Sequence, residues 1–367
     1  MNIQISTNIL LPLLQASNSV LDRKHSQPIL SNLLLKIENK KLSITATDLD
    51  LELTSTIAIN SDEQDELAIS ARKLFDICRA LPSDSKLTIA TKGNQAKITS
   101  GKSRFMLAIL PAKQYPAMSE AYDGSALEIN RVTLINLFGN TSFAMASQDV
   151  RYYLNGLLLE INGDEIRTVA TDGHRLALAE SSIEQQGDKK FSMIIPRKGV
   201  LEVLKILTAS AEEKIRFLSG DNGLCIVIGS QTMKIKLLEG NFPDYKRVIP
   251  NESDNFMLAN REQLKSVLTR TSILSNEKFR GIRLALSKNL VRAIAHNPEK
   301  EEAEEELDVN YKGDELEVGF NVAYLLDVLG ILHCETVRFD VIDANSSCLI
   351  KDPDQPEAKY VVMPMRL

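Results

Sequence analysis

The chain repeats one pattern three times, and this repetition constrains its fold more than any other feature. The three segments are 31–48 (SNLLLKIENKKLSITATD), 155–172 (NGLLLEINGDEIRTVATD) and 280–297 (RGIRLALSKNLVRAIAHN). Each contains an apolar run, a short polar turn and a second, alternating run, an order that predicts a β-hairpin. Ala46, Ala170 and Ala295 hold equivalent places, at intervals of 124 and 125 residues. The fixed interval predicts three copies of one structural unit.

The predicted helices keep the same spacing. A first helix is expected at 8–20, 131–147 and 261–275, and a second at 71–81, 197–208 and 322–332. Ser70, Pro196 and Asn321 precede the second helices, and all three are residue types found where helices begin. Short alternating strands include 41–47, 87–90, 215–218 and 337–341. We therefore predict an α+β protein of three tandem domains, 1–124, 125–252 and 253–367, each with two helices packed on antiparallel sheets.

The composition is that of a soluble globular protein with several cores, since 44% of the 367 residues are hydrophobic and 25% are charged. No run of 18 apolar residues is present, so no membrane span is expected, and the first residues lack the features of a signal peptide. The four cysteines, Cys78, Cys225, Cys334 and Cys348, form no CxxC pair. These features predict a cytoplasmic protein with reduced thiols and no zinc site.

The charge is distributed unevenly along the chain. The 43 basic and 49 acidic residues give a net charge of −6, which does not suggest a plain basic nucleic-acid binder. The six predicted helices nevertheless carry a net +6, which leaves −12 for the remainder. One interpretation is a basic face that attracts a polyanion; the other is that surface helices simply carry lysine and arginine. The helices lack the composition of a recognition helix, so contact with phosphates without sequence reading fits better.

Two other function classes are alternatives to a binding role. An enzyme, such as a phosphoesterase, would have to use the segment 171–175 (TDGHR) as its catalytic loop. The four histidines, His25, His174, His296 and His333, form no pair at metal-ligand spacing, and no Gly-rich phosphate loop or nucleophile motif is present. A sequence-specific DNA-binding regulator is disfavoured by the missing recognition helix and the acidic total. We expect no cofactor and no metal.

Six segments resemble the bacterial DNA polymerase III β subunits, the sliding clamps, and they occur in the order found in that family. They are 148–156 (QDVRYYLNG), 169–177 (VATDGHRLA), 195–199 (IPRKG), 241–245 (NFPDY), 273–281 (ILSNEKFRG) and 361–367 (VVMPMRL). The resemblance covers the whole chain and implies a head-to-tail homodimer, in which six domains form a ring with helices lining the hole. It implies a non-catalytic processivity factor that encircles duplex DNA without sequence specificity. The implied partners are DNA polymerase III α subunit, the clamp loader, and other polymerases and repair proteins, which bind through short linear peptides.

The resemblance also implies which residues face DNA. They are Arg23, Lys24, Arg72, Gln148, Tyr152, Tyr153, Arg197 and Lys198. For the two tyrosines, packing on the core at the start of a strand is the alternative.

The C-terminus suggests a protein-binding site, because five of the last seven residues are apolar where termini are usually polar. The resemblance assigns these residues to a hydrophobic cleft between the second and third copies, where peptides bind. The cleft would contain Leu154, Thr171, Gly173, His174, Arg175, Leu176, Pro243, Arg247, Val248, Asn321, Tyr324, Ser347, Val361, Val362, Met363, Pro364, Met365 and Arg366. A comparison of copies supports the site independently, since copy one has Leu49-Asp50 where copy two has Gly173-His174-Arg175.

The segment 299–306 (EKEEAEEE) is predicted to be one acidic loop with six glutamates. A solvated loop is one reading, and the resemblance implies another, in which the loop faces basic residues of the second protomer. The implied interface consists of Lys73, Arg104, Phe105 and Leu107 on copy one, and of Ile273, Leu274, Glu299, Glu301, Glu302 and Glu304 on copy three. A head-to-tail contact of this kind closes a ring only if its rotation closes.

Overall fold

The computed structural model describes residues 1–21, 27–118, 122, 126–184, 190–220 and 222–366. The helices in this part are α1 (Thr7–Val20), α2 (Ala71–Ala80), α3 (Arg131–Thr141), α4 (Arg197–Ala209), α5 (Arg261–Thr271) and α6 (Val322–Ile331). All six lie where the repeat predicted them. α3 and α5 are shorter than predicted because a 3-10 turn follows each, at Ser142–Ala144 and Ser272–Leu274.

The strands of the first copy are β1 (Asn2–Ser6), β2 (Asn32–Glu38), β3 (Lys41–Thr47), β4 (Leu51–Ala58), β5 (Asp65–Ser70), β6 (Lys86–Lys92), β7 (Gln95–Ser100) and β8 (Ser103–Leu110). Those of the second are β9 (Leu127–Asn130), β10 (Gly156–Asn162), β11 (Glu165–Thr171), β12 (Arg175–Ser182), β13 (Lys190–Pro196), β14 (Lys214–Ser219), β15 (Gly223–Ile228) and β16 (Gln231–Lys236). Those of the third are β17 (Phe256–Asn260), β18 (Gly281–Ser287), β19 (Leu290–His296), β20 (Glu302–Asp308), β21 (Asn310–Tyr311), β22 (Leu316–Asn321), β23 (Thr336–Asp340), β24 (Cys348–Asp352) and β25 (Gln355–Val362).

The three repeated segments are antiparallel hairpins, as predicted. β2 pairs with β3, β10 with β11, and β18 with β19. Equivalent residues take equivalent positions in the core, since Ala46, Ala170 and Ala295 are all at most 1% exposed. The alternating runs therefore direct one face of each hairpin inward, as a period of two residues requires.

The sheets do not stop at the ends of the copies. Strands from the first and second copies form one sheet, in the order β1-β6-β7-β8-β5-β2-β3-β4-β16-β15-β14-β9, which β4 and β16 join. Strands from the second and third copies form another, in the order β13-β10-β11-β12-β25-β24-β23-β17-β21, which β12 and β25 join. The order β20-β19-β18-β22 completes the third copy.

The chain accordingly divides into two compact units, and the division runs through the middle copy. Unit 1 contains residues 1–134 and 201–237, and unit 2 contains residues 135–200 and 238–367. Each unit has its own apolar core, in unit 1 around residues such as Leu14, Leu33 and Ile44, and in unit 2 around residues such as Leu159, Phe320 and Tyr360. Sequence periodicity did not reveal this arrangement, because strand pairing across the copies depends on contacts far apart in sequence.

One local prediction was wrong, since the segment 299–306 is not a single loop. Glu302 begins β20, which pairs along its length with β19, while Lys300 lies in the preceding turn. Glutamate is a weak strand former, so pairing with β19 and packing against α5 override local propensity here. Alternate residues of β20 point outward, so its glutamates still form an acidic edge.

No helix in the described part of the chain is long and apolar enough to cross a bilayer. The four cysteines are free thiols, three of them buried, with Cys334 half-buried.

Candidate functional site

The turn between β11 and β12 is built like its counterpart in copy one. In copy two, Asp172 Oδ1 accepts hydrogen bonds from the backbone N–H groups of His174 and Arg175, at 2.9 and 3.1 Å. In copy one, Asp48 Oδ1 accepts equivalent bonds from Asp50 and Leu51, at 3.0 and 2.7 Å. The Thr-Asp pair therefore forms the turn in both copies, and the residues that follow are free to differ.

Gly173 has two structural reasons to be glycine. Its φ of +90° lies in the left-handed region, where Leu49 at the equivalent place has a φ of +80°. A Cβ at Gly173 would also lie 3.0 Å from Nη2 of Arg151, which already donates a hydrogen bond to the carbonyl of Asp172. The glycine thus allows the loop that contains Arg151 to pack directly on the turn.

Arg175 joins the second and third copies within unit 2. Its guanidinium donates to Asp172 Oδ2 at 3.1 Å and to the Phe143 carbonyl at 2.8 Å, and it pairs with Asp327 of α6. It also lies over the Tyr324 ring, with 4.6 Å from Cζ to the centroid. With only 11% of its side chain exposed, Arg175 acts mainly as an anchor that positions the neighbouring residues.

His174 and Tyr324 form the exposed side of this arrangement. The two rings are stacked, with centroids 6.4 Å apart and planes 17° apart. Burial raises the pKa of the Tyr324 hydroxyl above its ordinary value of 10.0. Asn321 begins α6 by accepting a hydrogen bond from Ala323 N at 3.0 Å, which holds the start of the helix beside the site.

The C-terminal segment is attached to the same place. Met363 N donates to the His174 carbonyl and Met365 N to the Gly319 carbonyl, both at 2.9 Å. Met363, Pro364 and Met365 are half-buried, while Arg366 is exposed. Two thioethers are therefore held at the surface by backbone bonds, and methionine adapts well to varied apolar ligands.

A buried apolar cluster forms the floor beneath these groups. Leu176 of β12 lies directly across from Val361 of β25, and both are at most 3% exposed. Val248 packs partly buried against the cluster. Its other members are Leu158, Val169, Leu178, Ile194, Tyr245 and Leu349.

Sequence reasoning missed several residues of this floor. Leu238, Phe242 and Ile249 pack against it, and Tyr245 is inside it. Phe143 and Asp327, which hold Arg175, were missed as well. The NFPDY segment at 241–245 was a usable signal, since an aromatic pair next to proline is unusual in a polar connection.

The remaining predicted cleft residues differ in their burial. Leu154 and Val362 are buried, and Thr171 Oγ1 donates to the Arg175 carbonyl at 2.6 Å. Ser347 is half-buried and Pro243 is exposed. Arg247 is exposed, and it pairs with Asp244 at 2.8 Å. All of the predicted cleft residues lie in unit 2.

The two tyrosines in the loop before β10 differ in the exposure of their side chains. Arg151 pairs with Asp149 and holds the pKa of that carboxyl down at about 2, mainly through their side-chain hydrogen bond. Tyr152 is 75% exposed, whereas Tyr153 packs partly buried against the cleft floor. The packing alternative therefore describes Tyr153 and not Tyr152.

The other predicted DNA-facing residues differ in the exposure of their side chains and in the contacts that these make within the protein. Arg72 is exposed on α2 and weakly paired with Asp76, at 3.7 Å. Gln148 is exposed in the loop before β10, and Lys198 is half-buried in the first turn of α4. The Arg197 guanidinium donates to the Met145 carbonyl at 2.9 Å, which binds it to the backbone after α3. Arg23 and Lys24 lie outside the described residues.

Some of the basic residues on the helices are likewise engaged in hydrogen bonds and ion pairs within the protein. Arg131 at the start of α3 donates to the Leu207 carbonyl near the end of α4, and Arg261 of α5 donates to the Leu329 carbonyl near the end of α6. Arg270 of α5 is paired with Glu305 of β20. The net count of the helices therefore overstates the charge available to a polyanion.

The predicted interface residues lie in both units. On β8 in unit 1, Phe105 and Leu107 are half-buried and Arg104 is exposed, as is Lys73 on α2. In unit 2, Ile273 is 75% exposed and Leu274 is half-buried. The four predicted glutamates, Glu299, Glu301, Glu302 and Glu304, are exposed, and Glu304 pairs with Arg292 at 3.2 Å.

Within the described residues, no group of three or more His, Cys, Asp or Glu side chains is placed to hold a metal ion.

Comparison with known families accounts for almost the whole chain. Family descriptions of the DNA polymerase III beta subunit match in order: its N-terminal domain at residues 1–119, its central domain at 128–244 and its C-terminal domain at 246–366. The chain belongs to the DNA polymerase III beta subunit family. This membership makes it a sliding clamp, an accessory subunit of a DNA polymerase, and it removes the enzyme and regulator hypotheses.

Individual clamps support the same conclusion. The beta sliding clamp of Pseudomonas aeruginosa is 45% identical over 368 residues, covering 100% of both chains. That of Escherichia coli K12 is 44% identical over 361 residues, covering 98% of both. A crystal structure of the Pseudomonas aeruginosa clamp bound to griselimycin has a TM-score of 0.96 and 45% identity, again with full coverage of both chains.

Proposed function

We propose that two copies of the chain associate head to tail and form a six-domain ring around duplex DNA. The observation that carries this proposal is the full-length match to clamps, with all three clamp domains in order. Such a ring holds a polymerase at its template by raising its effective concentration, and it needs no tight or sequence-specific contact with the bases. The domain boundaries 1–124, 125–252 and 253–367 belong to this proposal, as does a cytoplasmic location.

Two exposed strand edges suit the contact between protomers. Among the strands of the described residues, residues 103–108 of β8 pair only with β7, and β20 pairs only with β19. Arg104 and Lys73 provide cations on one edge, and the glutamates of β20 provide anions on the other. Unpaired edges are avoided in monomers, so charge and backbone pairing both favour joining them between copies.

The cleft of unit 2 is proposed as the site for partner peptides. Its apolar floor, the stacked His174 and Tyr324 and the two surface methionines offer pockets for a few apolar anchors, with polar groups at the rim. DNA polymerase III α subunit, the clamp loader and other polymerases and repair proteins are the proposed partners.

The proposed DNA-facing residues are Arg23, Lys24, Arg72, Gln148, Tyr152, Arg197 and Lys198, with Tyr153 assigned to packing. The exposure of Tyr152 and Arg72 supports their part in this set.

A test of topology decides the proposal. The protein is loaded with clamp loader and ATP onto nicked circular plasmid, and gel filtration measures how much stays with the DNA. Cutting the plasmid should release it, because only a closed circle retains a ring. Retention on linear DNA would mean ordinary binding and would overturn the proposal.

A further inference from the structure

A second groove in unit 2 adjoins the floor of the cleft. It has a volume of about 420 Å³, and its apolar lining includes Leu178, Tyr245, Ile249 and Leu349. Leu178, Tyr245 and Leu349 also belong to the buried cluster beneath the cleft, and Ile249 packs against that cluster. The groove and the cleft therefore share one continuous apolar floor.

The strand register shows how the groove continues from the cleft. Leu176 lies across from Val361, and two residues further along the same strands Leu178 lies across from Lys359. Because residues two apart share a face of a strand, Lys359 stands beside Val361, about 7 Å further along. On the neighbouring strand β11 the side chains likewise change from apolar to charged in this direction, from Val169 to Arg167.

The charges at this end of the sheet are unequally paired. The guanidinium of Arg167 is already paired with carboxylates, since it bonds Glu165 and Glu180 and lies near Glu160. Tyr245 completes this group, donating its O–H to Glu160 at 2.6 Å and accepting from Arg167 at 3.2 Å. Of these three glutamates only Glu180 lines the groove, and Arg167 offsets its charge.

Two lysines of the groove lack such close partners. Lys246 and Lys359 both line it, and among the described residues neither has a carboxylate within 4.0 Å. Glu252, which also lines the groove, is paired with Lys351 at 2.5 Å, and Lys359 is one of the more distant cations that help to lower the pKa of this carboxyl. The groove therefore combines an apolar floor with three cations, Arg167, Lys246 and Lys359, and two carboxylates, Glu180 and Glu252, a net charge of +1 on a chain whose net charge is −6.

We propose that this groove binds an acidic segment that flanks the anchor of a partner peptide seated in the cleft. The inference rests on the proposed peptide-binding function of the cleft. Continuity of the floor allows one extended peptide to occupy both places, and its carboxylates would pair with Lys246 and Lys359. Exposed ion pairs are each modest, so an acidic flank should strengthen binding by roughly three- to tenfold.

Fluorescence polarisation with extended peptides tests this proposal. A labelled docking peptide from the polymerase III α subunit is compared with versions carrying four glutamates or four glutamines at either end. We expect the glutamate version to bind three- to tenfold tighter than the glutamine version at one of the two ends. The increase in affinity should largely disappear in about 1 M salt, where exposed charges are screened.

Charge variants assign this increase in affinity to the groove. The pairs K246E/K359E and K246Q/K359Q should abolish it while leaving the affinity of the unextended peptide unchanged. K288E is the matched control, because Lys288 is an exposed lysine in the turn between β18 and β19, in another sheet. It should keep the full increase.

Other outcomes count against the proposal. Equal affinities for the glutamate and glutamine versions at both ends would overturn it, as would an increase that persists in both lysine pairs. In those cases binding of the unextended peptide shows that the cleft itself still functions. Failure of the unextended peptide to bind would overturn the proposed cleft and this inference together.

Discussion

Tyr245 links the apolar floor of the cleft to the charged group around Arg167. Its ring is in the buried cluster, while its hydroxyl donates to Glu160 and accepts from Arg167. Burial, followed by the bond to Glu160, raises the pKa of Tyr245 to about 12 from its ordinary value of 10.0. One side chain thus contributes both packing and a fixed polar contact.

Replacing this tyrosine tests that role. Y245F keeps the ring but removes the hydroxyl, and it should lower the free energy of unfolding by about 1.5 kcal/mol at pH 8. A raised folded-state pKa gives stability that is complete below pH 10 and is lost as pH rises towards 12. Urea unfolding at several pH values should therefore show the difference between the two proteins shrinking above pH 10. A constant difference up to pH 12 would contradict the hydroxyl's role.

A single pair of positions explains why the first junction between copies lacks a comparable floor. Leu176 faces Val361 across the β12–β25 junction, whereas Glu52 faces Lys234 across the β4–β16 junction. Glu52 is 4% exposed, pairs with Lys234 at 2.9 Å and accepts from Met118 N at 2.9 Å. The equivalent surface in unit 1 is therefore filled by an ion pair and by the chain's own connection.

Breaking this pair should be costly, whereas replacing both members should not. E52Q leaves Lys234 largely buried without its charge partner, and we expect a loss of roughly 3 kcal/mol in the free energy of unfolding. E52L/K234V imitates the second junction and should recover part of that loss. Denaturant titration of both variants is the measurement, and a double variant less stable than E52Q would refute the argument.

At the level of elements, the C-terminal segment is an extension of β25 and not a frayed end. Two backbone hydrogen bonds hold it against the β11–β12 turn and the end of β22, beyond the last strand pair at Val362. Its methionines are then available at the surface without belonging to the core. The segment is thus suited to ligand contact at little cost to folding.

Removing residues 363–367 tests this separation. The truncated protein should lose binding of the docking peptide while its mass in light scattering stays unchanged. Its melting temperature should fall by only a few degrees, since β25 remains paired on both sides. Undiminished peptide affinity after truncation would exclude the segment from the cleft.

The short 3-10 turn after α5 carries an apolar pair that the fold does not bury. Ile273 is 75% exposed, and Leu274 is half-buried. I273A/L274A should shift the protein from dimer to monomer in light scattering, because the interface would lose apolar area and the monomer little packing. A dimer that persists at low concentration would remove this pair from the interface.

For the whole molecule, DNA association should depend on charge and not on base sequence. Arg72 and Lys198 both belong to the proposed DNA-facing set, and Arg72 is exposed on α2 with a contact of 3.7 Å to Asp76, whereas the Arg197 guanidinium is engaged with the Met145 carbonyl. R72E/K198E should weaken association of loaded rings with DNA and reduce the salt slope by about one for each phosphate that is no longer neutralised. K288E serves again as control, and an unaltered slope would exclude both residues from the DNA-facing surface.

Local pattern determined much of this protein from the sequence alone. The repeat interval, the alternation in each hairpin and the residues that begin helices are all encoded within a few residues, so six helices and three hairpins could be predicted. Gly173, His174 and Arg175 could be recognised as additions to a shared turn, because copy one forms the same turn without them.

Other features were decided only by tertiary structure. The joining of β4 to β16 and of β12 to β25 depends on strand edges far apart in sequence, and it divides the middle copy between two units. Long-range packing of this kind also forces glutamates into β20 and commits Arg175 and Arg197 to backbone carbonyls. Composition counts each charge equally, whereas the folded chain determines which charges are already paired. Only the structure therefore distinguishes charged residues that hold the fold together from those available to a partner.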